Sequence, residues 1–207
     1  TAVEGWPTGV TQSLLGKALL ASGAHEEGLA HLRAAIPLAP RAHYDLGIEL
    51  VDEGKLDEGL EHLQTVIAIW TSPPAGHLPS DLPSRRDVIS ARELIGRTFT
   101  AERRWSEAAD QSRLILAMDP SNADAADRLG IGLVATGKLD EAIAAFRRAV
   151  AIDPTRGAAE RNLANALFDH REIGEAAVHA RRAVAISPGD PGAHDVLGRA
   201  LALQNRF

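Results

Sequence analysis

The sequence predicts an all-α protein, a solenoid of helix-turn-helix units that stack side by side. Three observations predict it. Apolar residues make up 45% of the 207 residues but aromatic residues only 4%, and the apolar content is mostly Ala, Leu, Ile and Val, which is typical of closely packed helices. The same pattern of residues returns every 34 positions along most of the chain. The pentapeptide GKLDE occurs twice, at 54–58 and 137–141, at equivalent points of that pattern.

An apolar residue followed by a small one marks each repeat. Leu129-Gly130 is followed 34 residues later by Leu163-Ala164 and after another 34 by Leu197-Gly198. A second small residue comes twelve positions after the first, and a proline closes most units. The second small residues are Gly28, Gly59, Ala108, Ala142 and Ala176, and the closing prolines are Pro40, Pro120, Pro154 and Pro188. Each unit has room for two helices. The closing proline prevents the second helix from continuing into the next unit.

The pentapeptide GKLDE is the predicted joint between the two helices of a unit. Gly137 can end the first helix with a positive φ, and the Asp-Glu pair then lies in the first turn of the second helix, where the helix dipole favours negative charge. Helix packing explains why these positions hold small residues. Where Gly130 faces Ala142, and Ala164 faces Ala176, the two helices of a hairpin can approach closely.

The period contains one long insertion, because the two GKLDE copies lie 83 residues apart although two periods give 68. The 15 extra residues fall in a Pro-rich insert at 71–84, after which Ser84 can cap a helix from Arg85 to about Thr100. Two interpretations of the insert stay open: a lid or side wall beside a binding surface, or a tolerated surface excursion. Trp70 and the apolar residues Leu78 and Leu82 suggest that it packs on the solenoid.

We expect one solenoid domain over 1–207. Its units are 9–39, 40–70, 89–122, 123–156, 157–190 and a partial unit, 191–207. The last unit stops where its second helix would begin. We therefore expect either a longer native protein or a terminal capping helix at 191–204. If the C-terminal helix is truncated, its apolar residues offer a surface for self-association.

Composition argues against several classes of function. The net charge is -6 and the 22 basic residues are dispersed, so a nucleic-acid partner is not expected. No 18-residue apolar window predicts a membrane span, and the absence of cysteine excludes disulfides and thiol chemistry. No targeting signal is evident, which leaves the compartment open with the cytoplasm favoured.

Catalytic, metal and cofactor motifs are also missing from the sequence. His25 and His31 are six residues apart, whereas a metalloprotease helix needs four. Acidic pairs such as Asp140-Glu141 lie at predicted helix starts, where a favourable interaction with the helix dipole explains them. We expect no catalytic residue, no metal site and no cofactor, and hence no enzyme activity from this chain.

The 34-residue period, the Leu-Gly pairs, the second small residue and the closing proline resemble the tetratricopeptide repeat family over about 9–73 and 85–207. The resemblance implies a right-handed superhelix whose first helices line a concave groove, with ligand contacts close to the small residue of each first helix. It places these contacts at Lys17, Arg41, Tyr44, Glu93, Arg97, Asp127, Arg161, Asn165, Asp195 and Arg199.

The resemblance further implies a protein-interaction scaffold that holds an extended peptide or a partner helix, with main-chain contacts from Asn165 and salt bridges from Arg97, Arg161 and Arg199. Some members of the family clamp a terminal carboxylate. Arg161 with Asn165 resembles one third of such a clamp, but Val196 and Asp45 stand where further Asn residues are needed. The alternative function is an accessory or oligomerisation region of a larger enzyme whose catalytic domain lies outside these residues.

Overall fold

The structure is a computed structural model that describes residues 8–76, 80 and 82–204, and apart from a 3₁₀ position at Ser80 the regular structure of these residues is α-helical. The helices are α1 Thr8–Ala21, α2 His25–Ala35, α3 Ala42–Asp52, α4 Leu56–Thr71, α5 Arg85–Ala101, α6 Trp105–Met118, α7 Ala123–Ala135, α8 Leu139–Ile152, α9 Gly157–Asp169, α10 Ile173–Ile186 and α11 Pro191–Gln204. Five helix-turn-helix pairs and a terminal helix confirm the predicted fold class. None of these helices is long and apolar enough to cross a membrane.

The joints between paired helices follow the predicted turn chemistry. Gly137 has φ 78°, the Lys138 N–H donates to the Leu133 carbonyl at 2.9 Å, and the Gly137 N–H donates to the Val134 carbonyl at 3.0 Å. This double closure satisfies carbonyls at the end of α7. Two joints use arginine in the same left-handed conformation, Arg103 with φ 59° and Arg171 with φ 70°. A side chain with a Cβ there costs about 1–2 kcal/mol, so these joints carry local strain.

The second helices start without a side-chain cap. The residue before α8 makes no such hydrogen bond, and the same holds for α2, α4, α6 and α10. Each of these helices instead has an acidic residue in its first turn, as Asp140 and Glu141 show in α8. The carboxylates complement the positive end of the helix dipole, which contributes about 0.3–1 kcal/mol at an exposed site.

Compact packing divides the chain into two units, 1–95 and 96–207, with the division inside α5. In unit 1, α1 packs on α2, α2 on α3 and α3 on α4. Its core cluster consists of Leu20, Leu29, Leu32, Leu46 and Leu50. Gly16 and Gly28 let two helices meet, because a Cβ on Gly16 would lie 2.8 Å from the Gly28 carbonyl oxygen.

In unit 2, α6 packs on α7, α7 on α8, α8 on α9, and α10 on both α9 and α11. Its core is centred on Phe146, with Leu133, Ile143, Leu163 and Leu167 around it. The sequence predicts Ala142 opposite Gly130, but the nearest atoms to Gly130 belong to the Phe146 ring, which a Cβ there would overlap. The small residue in this hairpin therefore makes room for an aromatic ring.

The two ends of the insert lie together against α4. Ile69, Trp70, Pro73, Leu82 and Pro83 line one cavity of about 260 Å³, which agrees with packing of the insert on its own unit. Leu78, the other residue of that prediction, lies outside the described residues. The cap at Ser84 is confirmed, since its N–H donates to Asp87 Oδ2 at 2.8 Å and its Oγ accepts from the Asp87 N–H at 3.2 Å. The two bonds form a reciprocal capping box at the start of α5.

Candidate functional site

Lys17 and Ser13 of α1 both bind one carboxylate on the next first helix. Lys17 Nζ lies 3.0 Å from Asp45 Oδ1, and the Ser13 hydroxyl donates to Asp45 Oδ2 at 3.0 Å. Asp45 is only 7% exposed. A buried carboxylate needs such partners, so Lys17 joins α1 to α3 in this structure. Its role in ligand binding stays a prediction.

Arg41 binds Asp87 through two parallel hydrogen bonds. Its Nε donates to Oδ2 at 2.9 Å and its Nη2 to Oδ1 at 3.0 Å. The hydrogen bonds that Arg41 donates to Asp87 raise the pKa of Arg41. Burial raises the pKa of Asp87, but the bonds from Arg41 and Ser84 outweigh it and leave that pKa below its ordinary value. Arg41 thus holds the capped start of α5 against α3.

The remaining predicted residues of unit 1, Tyr44 and Glu93, lie on the first helices α3 and α5. Tyr44 is half-buried on α3, and Glu93 is half-buried on α5 with a bonding partner of its own. A small cavity of about 80 Å³ opens between α1 and α3. It is lined by Val10, Ser13, Leu14, Lys17, Ala39, Arg41, Ala42, Asp45 and Ser80. Ser80 brings the insert to the edge of this predicted surface.

In unit 2 the first helix α9 contacts both α7 and α11, and the three helices form a continuous first-helix face. Asp127 of α7 accepts a hydrogen bond from Asn162 Nδ2 of α9 at 2.9 Å. Burial raises the pKa of Asp127, an effect that the Asn162 bond partly offsets. Asn162 is absent from the predicted set, although it follows Arg161 directly. Its repeat position matches that of Asp45, the partner of Ser13 in unit 1, so a comparison of repeats could have found it.

Asn165 of α9 and Arg199 of α11 connect these two helices on the first-helix face. Arg199 Nη2 donates to Asn165 Oδ1 at 2.7 Å, and its Nε donates to Asp195 Oδ2 at 2.9 Å. The guanidinium carbon also lies 4.6 Å from the centre of the Phe168 ring, which adds a cation-π contact. Asn165, Asp195 and Arg199 therefore form one connected group, and their role in ligand binding stays a prediction.

Two further arginines of the predicted set differ in their surroundings. Arg161 Nη1 donates to Asp190 Oδ2 at 2.7 Å. Arg97 on α5 is exposed, and across residues 8–76, 80 and 82–204 no ion pair or hydrogen bond of its side chain is seen. Arg97 is therefore the most available cation of the predicted set.

An open apolar cavity of about 260 Å³ lies on the first-helix face of unit 2. Its lining is Trp105, Ile131, Val134, Ala135, Phe146, Asn162, Asn165, Ala166 and Asp169. Only Asn165 of these was predicted as a ligand residue. Trp105 and Phe146 belong to second helices, and Val134 and Asp169 stand one turn beyond the predicted contact positions. A search for apolar residues at the end of each first helix could have found Val134, which is 42% exposed.

The carboxylate-clamp alternative gains no support from this geometry. Val196, where a clamp needs an amide, is fully buried. Asp45 is bound by Lys17 and Ser13. Neither position presents a free donor to a terminal carboxylate.

Comparison with known proteins supports the family resemblance and the fold. The family model described as tetratricopeptide repeat matches residues 94–157 and 128–191. No curated protein matches the sequence. Residues 94–191 therefore carry tetratricopeptide repeats, as the resemblance in the sequence predicted, and these repeats support a general role as a scaffold for protein interactions.

Several solved structures share the fold. YrrB, described as a TPR protein with an unusual peptide-binding site, has a TM-score of 0.70 at 18% identity and covers 89% of each chain. A MamA structure has a TM-score of 0.70 at 18% identity, over 87% of this chain and 92% of that one. The first TPR of Spaghetti (RPAP3), bound to the HSP90 peptide SRMEEVD, has a TM-score of 0.55 at 18% identity, over 56% of this chain and 93% of that one.

Proposed function

We propose that the chain is a non-catalytic scaffold that binds an extended peptide of a partner protein along the first-helix face of unit 2. The observation that carries this proposal is the apolar cavity between α7 and α9. Its volume of about 260 Å³ suits one or two apolar side chains of a peptide, since such side chains fill well-packed pockets at the centre of interfaces. Burying one leucine-sized side chain there contributes about 1.5–3 kcal/mol.

Asn165, at the rim of this cavity, suits the backbone of a peptide. Its amide has two N–H donors and two acceptor lone pairs. One N–H donates to the Arg161 carbonyl at 3.2 Å and one lone pair accepts from Arg199. Within the described residues the other N–H and the other lone pair have no partner, and together they match the C=O and N–H of an extended backbone.

Charged groups beside the cavity suggest a peptide of mixed charge. Asp169 lines the cavity and is exposed, and no partner of its carboxylate is seen in the described part of the chain. Arg97 supplies an exposed cation on α5, outside the lining of the cavity. Arg161 keeps guanidinium N–H groups beyond its bond to Asp190, and Arg199 keeps some beyond its bonds to Asp195 and Asn165, so both belong to the proposed face as well.

The structural neighbours support the class of ligand. YrrB is described as having a peptide-binding site and the RPAP3 repeat as bound to an HSP90 peptide. These properties belong to those proteins, and they show that the same fold can hold peptides.

A selection from a phage-displayed library of random peptides would test the proposal. Selected peptides are then measured against two matched variants, Val134→Arg on the first-helix face and Leu114→Arg on a second helix, since the two residues are 42% and 44% exposed. We expect Val134→Arg to weaken binding by about tenfold or more, because it places a charge at the mouth of the cavity. Leu114→Arg should leave binding unchanged. Equal effects of the two substitutions would reject the assigned face.

A further inference from the structure

A second cavity of unit 2 has a buried carboxylate in its lining. The cavity has a volume of about 320 Å³ and lies between the end of α8, the start of α9 and the end of α10. Four of its six lining residues are apolar, and the full set is Val150, Pro154, Glu160, Arg182, Ala185 and Ile186. None of them lines the cavity of the proposed peptide site. Glu160 and Arg182 are therefore the charged groups of a separate, mostly apolar cavity.

One carboxylate oxygen of Glu160 accepts no hydrogen bond from the described residues. The side chain of Glu160 is only 3% exposed, and its Oε2 accepts from Nδ1 of His179 at 2.5 Å. Nη1 of Arg182 lies 3.9 Å from Oε1, which is beyond hydrogen-bond distance. A buried acceptor without a partner costs free energy, so buried carboxylate oxygens are normally bonded. Because Glu160 lines the cavity, a donor inside the cavity can reach this oxygen.

The preceding hairpin shows how the same repeat positions are closed elsewhere. Arg148 holds the repeat position of Arg182, and its Nη2 donates to the Pro120 carbonyl at 2.8 Å. Pro120 holds the repeat position of Pro154, and the position of Glu160 is an alanine there. Across the described part of the chain no hydrogen bond of the Arg182 side chain is seen, and that side chain is 58% exposed. The cavity at Glu160 therefore keeps both a donor and an acceptor open.

A donor and an acceptor 3.9 Å apart suit a primary amide. The nitrogen and oxygen of an amide lie about 2.3 Å apart, as its bond lengths require. Its N–H can donate to Glu160 Oε1 while its carbonyl accepts from Arg182, with both bonds of ordinary length. A cationic group would lie beside the guanidinium of Arg182, and an anionic group beside the carboxylate of Glu160, so both would be repelled. The apolar walls favour an aliphatic stem on the amide.

We propose that this cavity binds a ligand that presents a primary carboxamide on a short aliphatic stem. Oε1 of Glu160 accepts from the amide N–H, the guanidinium of Arg182 donates to the amide carbonyl, and the stem packs on Val150 and Ile186. Both a small aliphatic amide and the glutamine side chain of a partner polypeptide carry this group. The site is independent of the proposed peptide site, because all of its lining lies within 150–186 and none of it is shared.

The test is an NMR titration of the isotope-labelled whole chain with isovaleramide, isoamylamine and isovalerate, which have similar branched aliphatic stems but a neutral, a cationic and an anionic head group. We expect isovaleramide to shift the amide signals of Glu160, Ala185 and Ile186 saturably, with a dissociation constant on the order of 1–10 mM. The two charged molecules should bind at least about tenfold more weakly. Acetylglutamine methylamide is the fourth probe. Tighter binding of this probe than of isovaleramide assigns the site to a polypeptide glutamine, and weaker binding to a small amide.

Matched variants locate the binding. Ala185→Phe should weaken isovaleramide by about tenfold or more, because the ring fills the cavity, whereas Ala151→Phe, at the equivalent exposed position of the preceding hairpin, should have no effect. Arg182→Leu should weaken isovaleramide by about fivefold and narrow its advantage over isoamylamine.

Three results would overturn the proposal. They are no saturable shift with either amide, a charged molecule that binds as tightly as the amides, and equal effects of Ala185→Phe and Ala151→Phe. Thermal melts confirm that the variants are folded. Val134→Arg should leave isovaleramide binding unchanged, so failure of this proposal and failure of the peptide site are distinguishable.

Discussion

The Nδ1 atom of His179 lies 2.5 Å from Oε2 of Glu160, and both side chains are buried between α9 and α10. The imidazole N–H donates to the carboxylate and joins the two helices of one hairpin. The relationship returns in unit 1 at the same separation of 19 residues. There His31 lies 2.5 Å from Gln12, and His43 lies 2.8 Å from His62. A polar contact at one repeat position thus closes three hairpins, whereas the equivalent residues of α7 and α8 are Ala126 and Ala145.

The effects of substituting Glu160 and His179 on the free energy of unfolding should be strongly coupled. Glu160→Ala removes the acceptor of a buried imidazole N–H and is expected to destabilise the protein by about 2–3 kcal/mol. His179→Ala should have a similar cost. The double variant resembles the Ala126 and Ala145 pair of the neighbouring hairpin, so it should cost about 1–2 kcal/mol less than the sum of the single changes. Urea denaturation of the four proteins measures this difference, and simple additivity would contradict the coupling.

The pair of histidines in unit 1 should make stability depend on pH. Burial, followed by the neighbouring His62, lowers the pKa of His43 to about 4. Burial also lowers the pKa of His62, against the opposing influence of Glu58 and Glu61. The folded state therefore favours neutral imidazoles, and the unfolded chain binds more protons below its ordinary pKa of 6.5. The stabilising contribution of the two neutral histidines should be fully present above about pH 6.5 and should be lost as the pH falls toward 4.

A variant isolates the contribution of this pair. His43→Gln keeps a hydrogen-bonding side chain but removes one titrating group. Between pH 7 and pH 4.5 the wild type should lose about 1 kcal/mol more of its unfolding free energy than the variant does, a figure reduced for the partial exposure of His43. Parallel pH profiles for the two proteins would show that the pair contributes nothing to the pH dependence.

Substitution by alanine should change the stability of the protein in opposite directions at two glycines that hold equivalent repeat positions. A Cβ on Gly130 overlaps the Phe146 ring, so Gly130→Ala should destabilise the protein by about 1–2 kcal/mol despite the better helix propensity of alanine. Gly198 faces open space, so Gly198→Ala should stabilise by about 0.5–1 kcal/mol. Thermal melts of both variants provide the check. Two shifts of the same sign would contradict the packing described for these helices.

The joint at Arg171 should gain stability from glycine. Its φ of 70° strains a residue with a Cβ, and Arg171→Gly should relieve that strain for a net gain of about 0.5–1 kcal/mol. Gly137 has φ 78° at the equivalent joint of the preceding hairpin. Gly137→Arg should therefore lose about as much stability as Arg171→Gly gains. A loss with Arg171→Gly would mean that the arginine side chain makes a larger contribution than its backbone strain costs.

The local chemistry of the sequence predicted the helices and their joints because each signal lies within a few residues of the feature it determines. Gly137 marks a turn by its own backbone freedom, and Ser84 caps a helix that starts at the next residue. The 34-residue period then specifies which helices pair. For these reasons the fold class could be predicted without any structure.

The partners of surface side chains could not be predicted in the same way. Arg41 and Asp87 are 46 residues apart with the insert between them, so no periodic rule connects them. The apolar cavity of unit 2 needs Trp105 and Phe146 from two second helices, whereas the resemblance to repeat proteins directed attention to first helices. Asn162 was missed because the predicted contact positions lie on either side of it. Such contacts depend on the exact shift between neighbouring hairpins, which a single sequence does not reveal.

The most direct test of the proposed peptide site is an NMR titration of the isotope-labelled chain with a peptide selected from the random library. If the chain holds peptides as proposed, the amide signals that shift at the lowest peptide concentration will come from Ile131, Val134, Asn165 and Asp169 around the apolar cavity. Shifts confined to second helices, around the exposed residues Leu114 and Val178, would contradict the proposed site.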